Sequence, residues 1–125
     1  MKPNALLRIS SLLTVLLATL HLTSDIVGGE VIGPGGFLTV TLILVVWLYA
    51  ALVLAERRSG HVILLVGSLL GLGIPFLHLS GQRGFVGRDF LFVWTLLALG
   101  ASTAFSLILS VQGLWSLRKG RSIPK

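Results

Sequence analysis

Four long apolar runs alternate with short polar connections along the chain, at about residues 5–27, 36–55, 62–79 and 90–117. A helix rises about 1.5 Å per residue, so each run can cross a hydrocarbon layer of about 30 Å. Backbone groups in lipid must be bonded within their own segment, which predicts helices. The runs are continuous rather than alternating, so a membrane β-barrel is excluded. The fourth run is longer than a crossing requires and is expected to tilt or project. The connections at 28–35, 56–61 and 80–89 are short, which forces successive helices to run antiparallel. The predicted fold is all-α: a single transmembrane domain over 1–125, an up-down-up-down four-helix bundle.

Composition agrees with this pattern. Of 125 residues, 54% are apolar and 11% charged, against about 45–50% and about 25% in a soluble domain. A soluble fold of this size could not cover so much apolar surface, and a disordered chain needs low hydrophobicity. The chain has no cysteine, which removes disulfides, thiolate metal sites and Cys-based catalysis.

Ten Lys/Arg against four Asp/Glu give a net charge of +6. These charges lie between apolar runs, so the expected partner is the lipid bilayer and not nucleic acid. Lys2, Arg8, Arg57, Arg58, Arg118, Lys119, Arg121 and Lys125 fall on one side, and only Arg83 and Arg88 on the other. Basic residues favour the cytoplasmic side, which predicts cytoplasmic termini and a multi-pass protein of the plasma (inner) membrane. Trp94 and Trp115 suit the two interfacial belts. The first run lacks an A-x-A-like cleavage site and is expected to remain as a span.

Small and hydroxyl residues drive helix association in lipid. The first span carries Ser11, Thr14, Ala18, His21, Asp25 and Gly28 at steps of three and four, so they share one face. The fourth carries Thr95, Ala98, Ser102, Ser106, Ser110 and Gly113 in the same way. In the third, Gly67-x-x-x-Gly71 favours close approach. Pro75 is expected to kink the helix and free the Gly71 carbonyl, with Ser102 or Ser106 available to bond it. The second span is uniformly bulky and should meet the most lipid.

Ionisable residues inside spans are costly and are functional candidates. His21 and Asp25 lie one turn apart in the outer half of the first span, and His78 ends the third on the same side. Glu30, Arg83, Arg88 and Asp89 lie in or beside the outer connections, where they could form a polar cap. His61 beside the second connection reads as an interfacial residue. Three readings of the cluster stand open. It could lock the bundle as a structural cap. His21 and His78 could hold haem axially or, with Asp25, a divalent metal, Asp25 also being able to orient His21 from behind. It could bind or relay a small cation or proton in transport. Catalysis has least support, because Ser24, His21 and Asp25 are crowded on one helix with no nucleophile motif.

The segments HLTSDIVGG (21–29), LAERRSG (54–60) and GLWSLR (113–118) give the whole chain a resemblance to uncharacterised small four-span bacterial integral membrane proteins. That group has no assigned activity, so the resemblance implies a bacterial membrane setting and no site residues. On sequence the preferred function is a non-enzymatic accessory or structural subunit, in a homo-oligomer or larger membrane complex. A metal- or haem-binding redox bundle is the alternative, and a small transporter a further one.

Overall fold

The computed structural model of the chain describes residues 2–28, 33–81 and 88–121. These form four helices: α1 (Pro3–Val27), α2 (Pro34–Val53), α3 (Arg58–Ser80) and α4 (Phe90–Arg121). All four are long and apolar enough to cross a membrane. No strand occurs among the described residues.

Local chemistry explains where the helices begin and end. Pro3 and Pro34 open α1 and α2, where a missing N–H costs nothing and the fixed φ suits the first turn. These prolines start both helices two residues earlier than the apolar runs do. At the start of α4, Asp89 Oδ1 accepts the N–H of Phe92 at 2.9 Å, an N-cap. The largest departure is α3, which begins at Arg58, four residues inside the charged connection. The turn from α2 is correspondingly tight, with Arg57 N–H bonded to Leu54 O at 2.8 Å. A Cβ on Gly60 would collide with the backbone of Leu54, so this approach requires glycine.

The interior mixes polar and apolar side chains, while large apolar side chains cover the outside. Among the described residues, twelve buried positions are polar or charged and eleven are hydrophobic. Leu38, Val45, Leu69, Phe90 and Leu97 are all exposed. That arrangement suits a lipid surround, where hydroxyls and small side chains hold helices together. Most buried hydroxyls are satisfied by their own helix: Thr14 donates to Ser10 O at 2.8 Å and Ser68 to Leu64 O at 2.7 Å. Across α1 and α4, Ser106 donates to Ser10 Oγ at 2.9 Å, and Ser10 donates onward to Leu7 O at 3.1 Å.

The packing stripes expected from sequence are inside the bundle: Ser11, Thr14 and Ser106 are fully buried, Gly67, Gly71 and Ser102 buried, and Pro75 half-buried. Gly67 and Gly71 admit Trp47 of α2, and Gly71 also admits Thr103 of α4. The Pro75 ring sits against Gly100. Ser102 and Ser106 do not serve the Gly71 carbonyl as expected. Their hydroxyls go to Leu99 O and Ser10 Oγ. A donor already held by its own turn or by a facing serine is spent. His61, beside the second connection, is 3% exposed, with its ring against Gly113 of α4. Because α3 starts early, His61 belongs to its first turn and faces the neighbouring helix.

α2 is the most peripheral helix, burying Trp47, Ala50 and Ala51. Between it and α1 lies an apolar groove of about 320 Å³ reaching from Val15 and Leu48 to Ile26 and Phe37.

Candidate metal centre

Three helices bring their ionisable and aromatic side chains together at one end of the bundle. On α1, His21 is fully buried and Asp25 is 8% exposed. Their i,i+4 spacing stacks them on the face turned to the interior. From α3, half-buried His78 reaches across, so that the two histidine Nε2 atoms lie 3.2 Å apart. Asp25 Oδ2 lies 3.6 Å from the same Nε2 of His21. One ligand-capable atom from each of His21, Asp25 and His78 falls within 4.8 Å of the others.

α4 supplies the wall. Phe92, buried, packs against both imidazoles, with centroids 4.9 Å from His21 and 5.2 Å from His78. The two imidazoles meet edge to face at 87°. The Arg88 guanidinium lies 4.6 Å from the Phe92 centroid, a cation–π contact. One turn along α4, Thr95 Oγ1 lies 3.5 Å from His21 Nδ1.

A buried carboxylate is costly unless a cation or hydrogen bonds compensate it. Asp25 Oδ1 is buried and has no hydrogen-bond partner among the described residues. The donor set is two imidazoles and one carboxylate, which suits a borderline first-row divalent ion. Two ligands at about 2.0–2.1 Å from a tetrahedral ion lie about 3.3 Å apart, close to the observed Nε2–Nε2 separation. Three protein ligands would leave one position for water or an exogenous group.

Haem fits poorly. Axial imidazoles on opposite faces of an iron need about 4 Å between nitrogens, from two bonds of about 2.0 Å. Here the nitrogens are closer and the Phe92 ring fills the adjoining space. Asp25 is also not behind His21. Its Oδ2 approaches Nε2, the nitrogen that faces His78, and the group at Nδ1 is Thr95.

Of the four residues expected in an outer cap, Arg88 and Asp89 fall among the described residues. Glu30 and Arg83 lie outside the described residues. Asp89 is exposed and caps α4, and Arg88 covers Phe92. Phe92 and Thr95 are the site residues that sequence reasoning passed over. Thr95 stood in the α4 packing stripe, and Phe92, three residues before it, shares that face. Their spacing was visible, but not what they would meet.

No family model, curated protein or solved structure matches this chain.

Proposed function

We propose that the chain is a multi-pass membrane protein that binds one first-row divalent metal ion at the outer end of its bundle, through His21, Asp25 and His78. The observation that carries this is the convergence of the two Nε2 atoms and the Asp25 carboxylate on two helices, with His21 and Asp25 buried and His78 half-buried.

Antiparallel, up-down-up-down packing is supported by the order of contacts. Along α1 and α4, His21 meets Thr95 and Ser10 meets Ser106. Along α3 and α4, His61 meets Gly113, Gly71 meets Thr103 and His78 meets Phe92. In each pair one number rises as the other falls. The eight-to-two division of Lys and Arg supports cytoplasmic termini in the plasma membrane, which puts the site on the outer face.

The ion would tie α1 to α3, helices that otherwise share the smallest interface in the bundle. With three protein ligands, a fourth position would be left for exchange or an added ligand, which would suit more than a purely structural role. A route through the bundle has less support, because Leu64, Leu96 and Leu99 are fully buried between the two ends. Binding of the ion at one face is therefore the function favoured.

Equilibrium dialysis of the purified full chain against Zn2+ tests it. One ion per chain is expected for the native sequence and none for His21→Ala/His78→Ala. Equal uptake by both would overturn the assignment.

A further inference from the structure

We infer that Thr95 is the positioning residue of this centre: its hydroxyl oxygen fixes the His21 tautomer so that Nε2, and not Nδ1, is offered to the ion. The inference rests on the metal reading above and assigns the orienting role within it.

The argument follows the hydroxyl hydrogen. Thr95 Oγ1 lies 2.9 Å from Leu91 O and 3.0 Å from Phe92 O. A carbonyl oxygen only accepts, so both short contacts use the single hydrogen that Thr95 can donate. Toward His21 Nδ1 at 3.5 Å, Thr95 then presents a lone pair. The compatible partner is an N–H, which puts the proton of the neutral imidazole on Nδ1. Nε2 keeps its lone pair, and it is Nε2 that faces His78 and Asp25.

The opposite tautomer would let Nε2–H donate to His78 Nε2 or Asp25 Oδ2, but it would turn the Nδ1 lone pair toward a Thr95 oxygen whose hydrogen is already committed. With the proton on Nδ1, the 3.2 Å contact is made by His78 Nε2–H donating to His21 Nε2. A proton on Nε2 would leave Nδ1 as an acceptor, and Thr95 would have to leave both carbonyls to donate to it. It would also occupy the nitrogen that a metal needs. Metal-bound histidines commonly donate their second nitrogen to a carboxylate or carbonyl, and that partner sets the ring's orientation. Here a neutral hydroxyl does so, and the only carboxylate among the three candidate ligands is left to the ion. Phe92, tilted 46° to His21, supports the ring plane from α4.

Nitrogen-15 NMR of the metal-free full chain, with labelled histidine in lipid nanodiscs at a pH where imidazoles are neutral, reads the tautomer directly. His21, assigned by His21→Gln, is expected to carry its proton on Nδ1 in the native chain and in Thr95→Ser. In Thr95→Val, which keeps the shape but removes the acceptor, the population is expected to move toward Nε2–H. Zn2+ affinity is expected to fall about 10–100-fold in Thr95→Val, the range for losing such an orienting partner, and to stay within about threefold of native in Thr95→Ser. A native His21 protonated on Nε2 would overturn the inference without any variant. So would a Thr95→Val chain with unchanged tautomer, or a Thr95→Ser chain that loses as much affinity as Thr95→Val. If the native chain takes up no Zn2+, the metal reading fails while the tautomer result stands. If it binds Zn2+ and Thr95→Val binds it equally, only the role of Thr95 fails.

Discussion

His21 of α1 and His78 of α3 bring their Nε2 atoms to 3.2 Å across the bundle, although 57 residues separate them in the chain. The pair sits beside buried Asp25, against the wall formed by Phe92. Each element of the functional account depends on that meeting.

Asp25→Asn keeps the size of the side chain and removes its charge. It is expected to retain the fold and to weaken Zn2+ about 10–100-fold, since a neutral amide oxygen is a poorer ligand than a carboxylate. Competition against a chelating dye would measure this, and an unchanged affinity would remove Asp25 from the ligand set.

Metal should stabilise the chain by mass action. At free Zn2+ one hundred times the dissociation constant, the expected gain is about 2.7 kcal/mol, provided the unfolded chain does not bind. A thermal or denaturant unfolding curve in micelles would report it. His78→Ala, which cuts the link from α1 to α3, should abolish the zinc-dependent shift.

Glycines at the helix contacts are expected to be intolerant in a position-specific way. A Cβ on Gly67 would lie 2.7 Å from the Trp47 ring, and one on Gly113 would strike the His61 ring, while Gly73 has nothing within 4 Å. Gly67→Ala and Gly113→Ala should each cost about 1–3 kcal/mol in overpacking. Gly73→Ala should be neutral or mildly stabilising. Unfolding titrations of the three variants give the comparison.

The Ser106–Ser10 hydrogen bond spans α1 and α4. Interhelical bonds of this kind average about 0.6 kcal/mol in double-mutant cycles, so Ser10→Ala and Ser106→Ala should show coupling of that order. Additive losses would mean that the two serines act independently.

Much of this architecture was legible in the residues. Four apolar runs marked four helices because a membrane span must be long, continuous and self-satisfied, and no soluble element imitates that. Helix ends were less legible: Arg58 and Ser59 look like a loop, yet Gly60 lets α3 start against Leu54. His21, Asp25 and His78 stood out because ionisable groups are rare in spans. Their convergence was not readable, since it depends on helix rotation and on Pro75 and Gly100 setting the approach of α3 to α4. Thr95 looked like any packing hydroxyl. Only the position of its two carbonyl partners and of the His21 ring distinguishes it.

Zinc K-edge absorption spectroscopy of the loaded full chain tests the central claim most directly. The expected spectrum fits one four-coordinate zinc per chain, with two imidazole nitrogens and two oxygens at about 2.0–2.2 Å. Removal of His78 should take away one imidazole contribution. A zinc shell without imidazole, or one unchanged by His78→Ala, would contradict a metal centre built from these residues.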